Sequence, residues 1–188
     1  MLSYLTSLGF SHPWMPTLLY LSLGSLCTFL SLHFHPRSLG ASLFYLILGI
    51  FCWTLIEYLL HRFLFHFRTM KEPWKGLISQ AHLEHHRTAR SGEGILVRPF
   101  FTLITAVFVY FGFVLLTSSF TLALLFSAGV FLGYIAYEWI HFAAHRFHPS
   151  SSLLHSLKQY HLHHHFKDSD SAFGVTSPLW DWIFGTRP

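Results

Sequence analysis

The stretch LGASLFYLILGIFCWTLIEYLLHRFLFH, Leu39 to His66, decides how this chain is read: an apolar run long enough to cross a membrane closes directly on two histidines. The same junction recurs elsewhere. Ten of the sixteen histidines fall into four short clusters, His61/His66, His82/His85/His86, His141/His145 and His161/His164/His165, each at or just beyond the end of an apolar run. One histidine is more often a satisfied core residue or a surface group than a ligand. Four clusters at helical spacing predict a dinuclear metal site at a membrane surface.

Residues three or four apart share a helix face, so His141 with His145, and members of the two H-x-x-H-H groups HLEHH and HLHHH, can each address one ion. His61 and His66 are five apart, roughly 140° around an ideal helix at about 100° per residue. They can share an ion only if the helix breaks, so the second apolar helix is expected to end near His61. A metal pair needs roughly eight to ten ligands if nitrogen alone supplies them, and the clusters offer ten. Imidazole suits iron, zinc and copper alike, so the ligand type does not choose among them.

The 188 residues are 52% hydrophobic and 11% charged, too apolar for a soluble domain of this size. The chain is read as one all-α integral membrane domain over residues 1–188, with spans at about 14–34, 39–60, 100–116 and 120–140 and a helical cap formed by 61–98 and 141–188. Four spans put both termini and the long middle loop on one side. Of the twelve Lys and Arg residues, seven lie between Arg62 and Arg98, four between Arg146 and Arg187, and only Arg37 lies opposite. The positive-inside rule makes the shared face cytoplasmic, and with it the cap and all four histidine clusters. The basic balance is thereby explained by topology and anionic lipid, with no nucleic-acid partner. Cys27 and Cys52 fall inside spans without disulfide or C-x-x-C spacing and are read as core thiols. Residues 1–13 are expected to be a short amphipathic lead-in, with no signal peptide and no second globular domain to carry haem or flavin.

Ligating imidazoles usually donate their second N–H to an acceptor. Glu57, four before His61, and Glu138, three before His141, are candidates for that support, because a carboxylate near the end of an apolar span needs a partner. Glu84 and Asp168 lie close to clusters but at solvated loop positions. His12, His33 and His35 are expected at the membrane interface, and His148, His155 and His163 lack the spacing; all six are left out of the ligand set. The aromatics, 19% of the chain, are read mainly as lipid-facing, interhelical and interfacial groups.

EYLLHRFLFH (57–66), HLEHHRTARSGEGILVRP (82–99), GYIAYEWIHFAAHRFHP (133–149) and LKQYHLHHHFKDSDSAFGVTSPLWDWIFGT (157–186) together resemble the fatty acid hydroxylase superfamily of membrane di-iron enzymes. The FGVTSPLWD segment is similar to the fatty acid 2-hydroxylases that act on sphingolipid acyl chains. The resemblance implies that His61, His66, His82, His85, His86, His141, His145, His161, His164 and His165 bind two iron ions, replaceable by zinc in a purified sample. It further implies an O2-dependent monooxygenase with no catalytic residue beyond the metal ligands, acting on C2 of a fatty acyl chain of a sphingolipid or free fatty acid. Two departures stand out. Glu84 replaces a common glycine. The cytochrome b5 domain fused to many relatives is absent, which implies a separate electron donor, cytochrome b5 or ferredoxin with its reductase. The expected site is the endoplasmic reticulum in a eukaryote or the inner membrane in a bacterium. Rival readings are a sterol, carotenoid or ether-lipid hydroxylase or desaturase, a zinc-binding or metal-transport membrane protein, and a bis-histidine haem protein.

Overall fold

The computed structural model describes residues 12–66, 79–89, 96–97 and 99–188. Most of the expected N-terminal lead-in and much of the basic middle loop lie outside these residues. All described regular structure is helical: α1 (Trp14–Phe34), α2 (Leu39–Leu59) continued by a π-helical segment (Leu60–Phe65), α3 (Ser79–Thr88), α4 (Pro99–Thr117), α5 (Phe120–Arg146), α6 (Ser152–Phe166) and α7 (Leu179–Phe184).

Local chemistry sets the boundaries. Pro13 and Pro16 open α1, where a missing N–H leaves no helical bond unmade, and Pro36 stands just past its end. Ser38 Oγ accepts the Ala41 N–H at 3.3 Å as a cap on α2. Ser118, with φ of 52°, turns the chain between α4 and α5, and Ser119 Oγ caps the latter by accepting from Leu122 N at 3.3 Å. The join between the third and fourth apolar runs therefore lies where the sequence places it.

Among the described residues, α1, α2 with its π-helical continuation, and α5 are long and apolar enough to cross a membrane; Thr102–Thr117 of α4 is a shorter apolar helix. Among the described residues the molecule is thus all-helical, with the long apolar helices of an integral membrane protein. The regular α-helix of the second run ends at Leu59, close to the break expected near His61, and the chain continues in π form to Phe65, while α5 extends from Phe120 to Arg146. Nothing in its sequence stops α5 before Pro149, and the histidine packing of its last turns rewards continuation.

The described residues form two compact units. One comprises the described parts of residues 10–53 and 98–136. Its core gathers Tyr20, Trp53, Leu125, Phe126, Phe131 and Tyr134. Tyr134 meets Tyr20 edge-on at 4.8 Å and Trp53 at 5.3 Å between ring centroids, while Phe113 stacks on Phe126 at 4.0 Å. Without a hydrophobic drive between helices in lipid, close approach needs small residues. A Cβ on Gly49 would collide with the Phe126 carbonyl oxygen, and one on Gly129 with the Leu46 carbonyl oxygen. Leu18, Phe29, Phe44, Phe108, Leu115 and Leu116 point outward, as lipid-facing groups do. At the Arg37 end, Arg37 donates to the Thr121 hydroxyl at 2.7 Å and Ser31 to the Thr121 carbonyl at 2.6 Å. Cys27 and Cys52 are half-buried free thiols. The second unit, the described parts of residues 54–97 and 137–188, carries the ten clustered histidines.

Candidate metal centre

The ten clustered histidines converge into two groups of five: His61, His66, His82, His86 and His164, and His85, His141, His145, His161 and His165. Within each group the five nitrogens lie within 4.8 Å of one another. Each i,i+4 pair stays together: His82 with His86, His141 with His145, His161 with His165. The third member of each H-x-x-H-H cluster crosses over, because one residue along a helix turns a side chain by about 100°. His85 therefore leaves the partners of α3 for the second group, and His164 those of α6 for the first. The stacked rings of His86 and His165, 4.0 Å apart, lie where the groups adjoin.

His61 and His66 reach one site by a route α-helical geometry does not offer. The His66 N–H donates to the His61 carbonyl at 3.2 Å, an i→i+5 bond that stacks residues five apart above one another. Their rings lie 5.0 Å apart. The extra residue of the π turn supplies the rotation for which the sequence suggested a helix break.

The donor set suits divalent metal. In the first group Nε2 of His82 lies 2.9 Å from that of His61, 3.0 Å from that of His66 and 3.1 Å from that of His86, and Nε2 of His66 lies 3.0 Å from that of His164. In the second group His85 and His141 approach through Nε2 at 3.2 Å, and His145 and His161 at 3.0 Å. Metal–nitrogen bonds of about 2.1 Å would put the donors of one ion about 3.0–3.4 Å apart, a spacing these nitrogens approach. His61 Nδ1–H donates to the Phe173 carbonyl at 2.5 Å and His164 Nδ1–H to the Ser171 carbonyl at 2.6 Å, so Nε2 of both is a bare lone pair aimed at the others, the form that binds a cation.

Electrostatics keeps those lone pairs free. Burial, reinforced by histidine neighbours, holds His82 and His161 well below the ordinary imidazole range and takes His86 down to about 2. Burial also lowers His165, with His86 the leading neighbour, and lowers His164 against the opposing pull of its bond to Ser171. These five imidazoles are therefore neutral at pH 7, the form that binds metal.

The supporting carboxylates are placed less directly than their spacing suggested. Glu57 is buried and accepts the Val175 N–H at 2.5 Å, the Thr176 N–H at 2.9 Å and the Thr176 hydroxyl at 2.7 Å. It grips the chain segment whose Phe173 carbonyl receives His61. Glu138, also buried, accepts the Val97 N–H at 3.0 Å. Glu84 is exposed and pairs with Arg87 at 3.2 Å, while Asp168 is exposed and accepts the Asp170 N–H at 3.0 Å. His12, His33, His35, His148 and His155 are exposed, and His163 belongs to neither group.

Sequence reasoning missed the strap Ser171–Thr176 and the residue that holds its other side, Asp181. This carboxylate is fully buried and accepts the Phe173 and Gly174 N–H groups, both at 2.8 Å, and the Thr186 hydroxyl at 2.8 Å. Between the two accepting carbonyls sits Ala172, buried with φ of 56°, a left-handed backbone that only a well-determined surrounding maintains. A Cβ on Gly174 would strike the Ser177 carbonyl oxygen. The FGVTSPLWD stretch was visible as a resemblance, but a backbone carbonyl leaves no side-chain signature to read.

Two converging polyhistidine groups attached to apolar helices define a membrane metal-site protein. Residues 46–186 match the fatty acid hydroxylase family model. The chain is 38% identical over 152 residues to a dihydroceramide fatty acyl 2-hydroxylase of Arabidopsis thaliana, covering 76% of this chain and 60% of that one. It is 33% identical over 190 residues to the human fatty acid 2-hydroxylase, covering 92% and 50% respectively. The solved structure of full-length Scs7p, with only its hydroxylase domain visible, superposes with a TM-score of 0.83 at 31% identity, over 97% of this chain and 69% of that one. The chain belongs to the fatty acid hydroxylase family, and it spans at most 60% of the length of these two curated relatives.

Proposed function

We propose that this chain is a single membrane domain that hydroxylates C2 of a fatty acyl chain, in a sphingolipid or as the free acid, using O2 and two iron ions held by the two histidine groups. The observation that carries the reading is the convergence of ten histidines as two five-nitrogen sets. Its lipid side rests on family membership and on relatives named as dihydroceramide fatty acyl and fatty acid 2-hydroxylases.

When bound, the metal pair supplies reductive activation of O2, in the overall balance R–H + O2 + 2 e⁻ + 2 H⁺ → R–OH + H2O. The protein does the rest. Nε2 atoms of the two groups hold the ions, and the Phe173 and Ser171 carbonyls fix the His61 and His164 rings as the tautomer with Nε2 bare. Burial excludes water and keeps the other imidazoles unprotonated. No described side chain is needed as a nucleophile or general base. The two electrons come from a separate donor, cytochrome b5 or ferredoxin with its reductase. We place four spans in the bilayer, α4 included, with both termini and the metal centre on the cytoplasmic side; the weight of Lys and Arg flanking the histidines supports that orientation.

The test is mass spectrometry of hydrolysed total fatty acids from a sphingolipid-producing host lacking its own hydroxylase, expressing the protein or its His145→Ala variant. New 2-hydroxy acids with the intact protein alone are expected. A folded, metal-loaded protein that yields none would move the reading to another lipid or to metal transport.

A further inference from the structure

The two histidine groups are supported unequally. In the first, the strap fixes two of the five ligands: His61 through Phe173 and His164 through Ser171. The strap is in turn gripped from two sides, by Glu57 at Val175 and Thr176 and by Asp181 at Phe173 and Gly174. The chain past α7 closes it further, with Ala172 N–H donating to the Thr186 carbonyl at 2.7 Å and the Thr186 hydroxyl donating to Asp181. In the second group the buried Nδ1 atoms of His141, His161 and His165 meet no hydrogen-bond partner among the described residues. Those rings are oriented by packing, with His141 against His161 at 4.6 Å and His145 against His165 at 4.7 Å.

We infer that the two metal positions are inequivalent: Glu57 and Asp181, acting through the Ser171–Thr176 strap, are positioning residues that make the first group the tighter site, so the ion of the second group is the first to leave and the last to load. The physical reason is preorganisation. A ligand whose second nitrogen is already bonded to a fixed carbonyl is held in the correct tautomer and orientation before the ion arrives, and losing such support typically costs about 10–100-fold in metal affinity. Neither carboxylate touches an ion in this account.

The inference rests on the proposed two-ion reading, and the experiment separates the two. The full chain, purified in detergent as expressed, is mixed with excess chelator while metal content per chain is followed by elemental mass spectrometry. Two ions per chain leaving in two phases are expected. In His145→Ala only the slow phase should remain, and in His164→Ala only the fast one. Asp181→Asn and Glu57→Gln should speed the slow phase about 10–100-fold and leave the fast phase unchanged. A merely structural role would release both ions together. Thr176→Val, which removes a single hydroxyl from the Glu57 cradle, is the milder variant, and the wild-type phases test the inequivalence even if every strap variant unfolds. Two ions leaving the wild type in one phase, or a strap variant accelerating both equally, would overturn the inference while the two-ion reading stands. A wild-type protein carrying fewer than two ions would overturn that reading and the inference with it.

Discussion

Each histidine acts according to what its far nitrogen meets. His61 and His164 are locked by carbonyls, whereas His145 is placed by its α5 register and by the rings around it. His145→Ala should therefore keep the helices, abolish lipid oxidation and lower the metal content to one ion per chain. His35→Ala, an exposed change at the end of α1, should alter neither. Equal metal content and activity in the two variants would contradict the assignment of His145. At this scale the sequence was most legible. Every i,i+4 histidine pair singled out by spacing shares one group in the structure, because helical periodicity alone aligns such residues. The crossing of His85 and His164 between groups was not legible, since it depends on how α3 and α6 lie against their neighbours.

Among the elements, the π-helical segment carries the most consequence. Its i→i+5 bonding aligns His61 with His66, and an α-helix over the same residues would swing them roughly 140° apart. Deleting Phe63, whose side chain is 55% exposed and gives up little packing, brings the two histidines to a spacing of four, at which an ordinary α-turn puts them on one face. Both ions are therefore expected to be retained, by elemental mass spectrometry of the purified variant. Loss of one ion would show that the π form itself, not the shared face, places His66. The contact of α2 with α5 at Gly49 and Gly129 makes a second prediction. Gly129→Val forces a branched side chain against the Leu46 carbonyl and should cost at least the ~1–3 kcal/mol of an overpacked core, seen as loss of the monodisperse peak in detergent chromatography. Sequence composition located these helices well, but it held no sign of the π form. One inserted residue leaves hydropathy unchanged, and only the demand that both rings meet one site selects it.

For the whole molecule, ten imidazoles in one unit couple stability to pH. The folded-state values of His82, His86, His161, His164 and His165 are lowered, so the unfolded chain binds more protons once pH falls below the ordinary histidine value near 6.5. The stability they contribute is complete above that value and is lost as pH drops, for His86 over a window reaching down to about 2. Each extra proton costs ~1.4 kcal/mol per pH unit, and ~1 kcal/mol moves the midpoint by ~2–4 °C in a chain of this size. The metal-free protein should consequently melt several degrees lower at pH 5 than at pH 7, by scanning fluorimetry, and the bound ions should dissociate faster over the same range. A flat profile would mean that the imidazoles are hydrated and that the two groups do not form without metal.

The chain by itself determined that helices would be apolar and long, about where they would turn, and which ten histidines would gather, because hydropathy and the spacing of histidine clusters are local properties written in consecutive residues. The tertiary structure decided how the ten divide into two sets of five, that a π turn brings His61 onto His66, and that Glu57 and Asp181 reach across more than a hundred and about eight positions of sequence respectively to hold one strap. These are contacts between backbone groups and side chains brought together only by folding. A carbonyl oxygen has the same identity in every residue until the fold aims it at a particular nitrogen.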